Sequence, residues 1–198
     1  MPPRVIPPSE LIINTDGSVF HLHLRPEQIA DTIILVGDPA RVDMIAKYLD
    51  QVECKASNRE FNSVTGSYKG KRMTVMSTGI GIGNIDICVT ELDALANVDF
   101  ETRQAKDKFR QLTLVRLGTS GAIQQDIEVG EVVFSRTSLG FDGLLSYYAG
   151  RDGVCDLALE EAFSEHTAWD KKLPAPYFVN AHNDLFELFK DSTREGIT

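Results

Sequence analysis

Hydrophobic positions recur along this chain in two rhythms. Thr32-Ile33-Ile34-Leu35-Val36 and Leu112-Thr113-Leu114-Val115 are short, unbroken apolar or β-branched runs. Such runs mark strands buried on both faces, as in α/β sheets. After the first run, Val42, Ile45, Ala46 and Leu49 recur at helical spacing, with Pro39 just ahead of them. That pattern predicts a helix over residues 40–49. Ile85, Val89, Leu92 and Ala96 form one stripe and predict a second helix over 85–96. Glu60–Tyr68 and Arg72–Ser77 read as paired strands around the Lys69-Gly70-Lys71 turn. Strands are also expected over 112–117 and, after a turn, within 126–134. Helices are expected over 156–163 and 181–194. Residues 25–29 read as a turn or short helical start, the charged segment 97–111 as an exposed helix or insertion, and 140–153 as loop. Strands alternating with helices predict an α/β fold.

The first sixteen residues carry four prolines and no period. They are read as an extended arm, able to lie on a neighbouring subunit, ahead of a single domain over 17–198. A length of 198 residues with 42% hydrophobic content suits one domain with a sizeable core. Net charge is −9, which argues against nucleic acid or an anionic membrane surface as partner. Cys54, Cys88 and Cys155 are odd in number and lack metal or redox spacing, so reduced structural thiols are expected. Without a signal-like apolar segment or a membrane-length run, a soluble cytoplasmic protein is the expectation.

The acidic balance sharpens the interest of the strand ends. The run at 112–115 leads into Arg116-Leu117-Gly118-Thr119-Ser120-Gly121-Ala122-Ile123. A buried strand ending in a cation, hydroxyls and flexible N–H groups can hold an oxyanion. Gly37-Asp38-Pro39-Ala40-Arg41 is a second strand-to-helix turn, where N–H groups at a helix start favour anions. Thr78-Gly79-Ile80-Gly81-Ile82-Gly83 is a third. Its glycines suit either a phosphate loop or close strand–helix packing. Asn84 breaks the pattern of a dinucleotide fingerprint. Arg59, in Ala56-Ser57-Asn58-Arg59-Glu60-Phe61, opens a strand. One arginine alone is more often a surface charge; three at such junctions gain weight because ligands settle at the carboxyl ends of α/β strands.

Five segments together, Ser18-Val19-Phe20-His21-Leu22, Gly37–Val42, Ser57–Phe61, Ser77–Gly81 and Arg116–Ile123, resemble the nucleoside phosphorylase family, most closely its uridine phosphorylase branch. The resemblance runs from about residue 18 to about residue 144. It implies a three-layer fold with a mixed, partly barrel-like central sheet flanked by helices. It implies phosphate contacts from Gly37, Arg41, Arg116 and Thr119, with Arg59 reaching the phosphate of a neighbouring subunit. His21 would cross the same interface to the ribose 5′-hydroxyl, with Thr119 also on the ribose. Phe20, Ser120 and Gly121 would lie at the base. Arg116 and Thr119 are the residues expected to carry catalysis.

The family further implies dimers, often built into hexamers, and phosphate as co-substrate with no cofactor. Positions matching Glu60 and Ile80 hold a monovalent cation at the dimer interface in some relatives, which makes potassium a candidate there. Asn84 departs from the family at the third position of that site. No other metal is expected, and His23, His166 and His182 are read as structural. The family's principal base-recognition residues and its Met-Glu ribose pair have no match up to Thr198. The chain is therefore read as truncated, and is expected to hold phosphate better than nucleoside. The implied reaction is reversible phosphorolysis of a pyrimidine nucleoside, uridine first. The alternatives are a purine nucleoside phosphorylase, a hydrolytic nucleosidase of the same superfamily, and an inactive phosphate-binding fragment. Retention of all three arginines disfavours the nucleosidase, which needs no phosphate.

Overall fold

The structure, a computed structural model, describes residues 4–192. The last two residues of the helix expected over 181–194, Thr193 and Arg194, and the first three residues of the expected arm lie outside them. The chain divides into two compact units, Met1–Thr119 and Ser120–Thr198.

The first unit contains β1 (Thr32–Val36), α1 (Pro39–Ala46), β2 (Gln51–Asn58), β3 (Phe61–Tyr68), β4 (Lys71–Ser77), α2 (Ile82–Asn97), the two-residue strands β5 (Val98–Asp99) and β6 (Gln104–Ala105), and β7 (Thr113–Leu117). The sheet order is β2-β3-β4-β1-β7. β2, β3 and β4 are joined antiparallel, and β1 runs parallel to both β4 and β7. This is a mixed sheet, and its parallel half is made from the two apolar runs together with β4.

The alternation along β1 sorts the core onto two faces. Ile33 and Leu35 join Phe61, Met76, Cys88, Leu92 and Leu95 in one buried cluster. Val36 joins Val42, Val64 and Val75 in another, with Ile34 and Ile45 packed against it. One face is thus closed by α2 and the other by α1, because successive side chains of a strand point to opposite sides. Asp38 caps α1, its side chain accepting the Ala40 N–H, and Pro39 takes the first helical position.

Several expectations shift. The buried stripe of α2 is Cys88, Leu92, Leu95 and Ala96, whereas Val89 is exposed. Leu92 and Ala96 of the expected stripe are buried, and Glu91 shares the buried side with them. β2 (Gln51–Asn58) forms where the sequence reading has no strand. Residues 98–105 form a small hairpin where a helix or insertion was expected. Leu11, within the segment read as an arm, is buried in the core, and the Ile6 N–H donates to the Arg103 carbonyl at 2.8 Å.

The second unit contains β8 (Thr137–Gly140), α3 (Leu157–Thr167), β9 (Tyr177–Asn180) and α4 (Asn183–Ser192). β8 and β9 pair antiparallel. The Tyr177 hydroxyl donates to the Asp142 carboxylate at 2.9 Å, and Phe141, Phe163, Trp169 and Phe178 pack ring against ring. The strand expected within 126–134 does not form among the described residues. Val129, Val132 and Val133 are exposed there, with no partner strand to give them a ladder.

Cys88 has 0% exposure, and burial, helped by the nearby Glu91 charge, pushes its thiol up to about 12. Only the thiolate reacts readily. Cys54 and Cys155 are half-buried. A thiol-specific disulfide reagent at pH 8 is therefore expected to label the folded chain at Cys54 and Cys155 at least about tenfold faster than at Cys88. Equal labelling of all three, read by peptide mass spectrometry, would contradict the packing described for α2.

Candidate functional site

The carboxyl ends of three parallel strands lie side by side. Val36 pairs with Ser77 on one flank and Leu117 on the other, which aligns the turns that begin at Gly37, Thr78 and Gly118. The Thr78 N–H donates to the Val36 carbonyl at 2.8 Å, tying two of these turns together. A Cβ built on Gly37 would lie 3.8 Å from the Gly79 carbonyl oxygen and 3.9 Å from Arg116 Nη2. The Arg116 guanidinium therefore folds back across the strand ends. It passes so close over Gly118 that a side chain there would displace it. Gly79 has φ +68°, and a Cβ on it would lie 2.7 Å from both Glu60 Cγ and Asn84 Nδ2. Glycine lets the backbone take this left-handed conformation with two side chains against it. Of the two readings open for the 78–83 glycines, Gly79 serves close packing.

The start of α1 is less open to an anion than its sequence suggested. Asp38 Oδ1 accepts the Ala40 N–H at 2.9 Å, and the Asp38 carbonyl accepts the Arg41 N–H at 3.1 Å. Two of the first N–H groups are used, and one partner is negative. With these two N–H groups occupied, attraction for an anion at this corner rests more on guanidinium groups.

Those groups stand out in the whole molecule. Arg4, Arg25, Arg72, Arg110, Arg136 and Arg151 all pair with carboxylates, and Arg103 donates to the Ile6 and Leu11 carbonyls. Among the described residues, Arg41, Arg59 and Arg116 are the arginines whose guanidinium has neither a carboxylate nor a carbonyl partner. In a chain of net charge −9, three arginines left without internal acceptors are available for an external one.

A second cluster adjoins the first through Glu60. The β2–β3 hairpin turns at Arg59, which has φ +54°, a conformation that is uncommon outside glycine and often held at functional sites. The Arg59 guanidinium carbon lies 6.0 Å from the centroid of the Phe20 ring. Phe20 meets His21 edge-on, centroids 4.9 Å apart. Asn58 Nδ2 donates to the carbonyls of Phe20 (3.3 Å) and His21 (2.9 Å). His21 Nδ1 is 2.7 Å from Glu91 Oε1. The structure thus gathers Phe20, His21 and Arg59 into one group. It adds Asn58 and Glu91, which motif reading did not single out. The signal for Glu91 was a carboxylate at the i+3 position between Cys88 and Leu92 on an apolar helical stripe.

Around the candidate cation position, Asn84 Nδ2 donates to the Ile80 carbonyl at 3.1 Å. Asn84 thus presents a donor to the very oxygen a cation would use. Among the described residues no group of three or more His, Cys, Asp or Glu is arranged to hold a metal ion. Thr119 ends the first unit. Ser120 and Gly121 open the second, and all three are exposed. No helix among the described residues is long and apolar enough to cross a membrane.

Comparison with known proteins places this geometry in a family. The model of the phosphorylase superfamily matches residues 31–198. A uridine phosphorylase of Haemophilus influenzae is 39% identical over 154 residues, 74% of this chain and 56% of that relative. A DeoD-type purine nucleoside phosphorylase of Bacillus subtilis is 39% identical over 119 residues, 60% of this chain and 46% of that relative. A solved Trypanosoma brucei nucleoside phosphorylase, which shows uridine phosphorylase activity, superposes with a TM-score of 0.78 at 28% identity, covering 92% of this chain and 61% of that one. The chain spans about half the length of the curated relatives it matches. With its mixed sheet, its aligned strand ends and a family match over most of its length, the chain belongs to the phosphorylase superfamily.

Proposed function

We propose that the protein is a nucleoside phosphorylase that exchanges the base of a pyrimidine nucleoside, uridine first, for phosphate, giving free base and ribose 1-phosphate. The observation that carries this reading is the set of three arginines without internal acceptors, two of them at the aligned strand-to-loop turns. Gly37, Arg41, Arg116 and Thr119 hold phosphate in this proposal. A phosphate oxygen bonds to the anomeric carbon as the glycosidic bond breaks, and the bonding pair leaves with the base. Positive charge grows on the sugar in between. Arginine forks suit the phosphate because they are planar and permanently charged, and correct placement of two reactants removes much of the barrier.

Arg59 and His21 lie within one cluster, and Phe20 joins them. That proximity supports their acting together, on the phosphate and the 5′-hydroxyl of a second copy's site, in a dimer or larger assembly. Ser120 and Gly121 face the base, and phosphate is the co-substrate. The preference for uridine rests on the longer match to the uridine phosphorylase relative, 154 residues against 119 for the purine enzyme.

The test is uracil release from uridine with and without inorganic phosphate, run beside inosine. Release that depends on phosphate and favours uridine supports the proposal. Release at one rate with or without phosphate identifies a nucleosidase instead, and preference for inosine identifies the purine enzyme.

A further inference from the structure

Glu91 takes no part in the chemistry above, yet it is only 8% exposed on α2 and faces no Lys or Arg partner among the described residues. Burying an ionised carboxylate is costly unless hydrogen bonds replace its water. Here they come from one short segment. The backbone N–H of His21 lies 3.1 Å from each carboxylate oxygen, the Leu22 N–H donates at 2.9 Å, and His21 Nδ1 completes the set at 2.7 Å. An ionised carboxylate only accepts, so in the neutral imidazole this contact places the proton on Nδ1 and leaves Nε2 as an acceptor.

The surroundings hold that arrangement. Phe20 and Phe61 flank the imidazole edge-on, at 4.9 and 6.5 Å, and Asn58 holds the His21 carbonyl. Nε2 has no partner among the described residues, and the His21 side chain is 27% exposed. We propose that Glu91 is a positioning residue: it locks His21 with its proton on Nδ1, so that Nε2 accepts a hydroxyl proton and the site selects nucleosides with a free 5′-hydroxyl. The selectivity rests on the nucleoside phosphorylase reading; the lock does not. A 5′-deoxy sugar offers no donor and leaves Nε2 unpaired, which is expected to lower kcat/KM about tenfold to a hundredfold.

Two measurements on the full chain test this. Long-range ¹H–¹⁵N NMR of histidine-labelled protein, with His21 assigned by its loss in His21→Gln, reads the tautomer without any substrate. The proton on Nδ1 is the expected result; a proton on Nε2 in the wild type overturns the proposal, whatever the activity. Glu91→Gln, checked for native dispersion in the same spectra, is expected to mix the tautomers. It should also shrink the preference for uridine over 5′-deoxyuridine, through a raised KM for uridine with kcat little changed. An unchanged tautomer and an unchanged preference in a folded Glu91→Gln protein overturn it as well. If that variant does not fold, the wild-type tautomer and the wild-type uridine to 5′-deoxyuridine ratio decide. Should neither nucleoside react while His21 keeps its proton on Nδ1, the nucleoside reading fails and the Glu91 lock stands.

Discussion

Arg116→Ala is expected to lower kcat/KM for phosphorolysis by about 10²–10³-fold, the usual cost of deleting one preorganised donor aimed at a reacting anion. The Arg116 guanidinium stands over Gly37 and Gly118 at the ends of β1 and β7, where the proposed phosphate lies. It is exposed and has no carboxylate or carbonyl partner among the described residues. Its removal therefore breaks nothing internal, and unfolding free energy should change by no more than about 0.5 kcal/mol. The loss should appear in the KM for phosphate as well as in kcat, since the same fork binds the anion and stabilises the charge developing around it. Arg116→Lys keeps a charge but not the planar fork, so it should recover only part of the activity. Phosphate-dependent turnover that survives Arg116→Ala at the wild-type level would remove Arg116 from the site.

The corner proposed for phosphate was legible in sequence as strand ends and turns, because each of its parts is local. An apolar run followed by small residues and an arginine marks a strand, its end and its cation together, as at 32–41 and 112–119; burial on both faces does not hold for β7, an edge strand that is half-buried over Thr113–Val115 and exposed at Arg116 and Leu117. The parts that sequence missed depend on residues far apart. Glu91 gains its meaning from His21 and Leu22, about seventy positions earlier, which supply the N–H groups that let a carboxylate sit on a buried stripe. That same carboxylate shares the buried side of α2, where Val89 of the expected stripe is exposed. β2 was obscured because its residues are largely exposed: among its apolar positions Val52 is exposed, and Cys54 and Ala56 are small and half-buried. The segment 126–134 shows the converse. Its composition favours a strand, but a strand is defined by a partner, and none pairs with it among the described residues.

Phe61→Ala is expected to cost about 3–5 kcal/mol of unfolding free energy, the range for truncating a fully buried phenylalanine. Phe61 is 2% exposed, opens β3, and belongs to the cluster that holds Leu35, Met76, Cys88 and Leu92. The cost combines lost burial with the cavity left between sheet and helix, because Asn58 and Phe61 close the hairpin and fix the backbone that would need to move inward. Urea unfolding followed by far-ultraviolet circular dichroism measures it, and Phe61→Leu, which keeps much of the volume, should cost only about 1 kcal/mol. A loss below about 1 kcal/mol for Phe61→Ala would show that this core is not close-packed there. The substitution also reaches the site, since the Phe61 ring lies 6.5 Å from the His21 imidazole. With Phe61 gone, one of the two rings confining that imidazole is lost while the Glu91 hydrogen bonds remain in place. The tautomer of His21 should therefore persist in Phe61→Ala even as the protein loses stability, which separates the electrostatic hold of Glu91 from the packing beneath it.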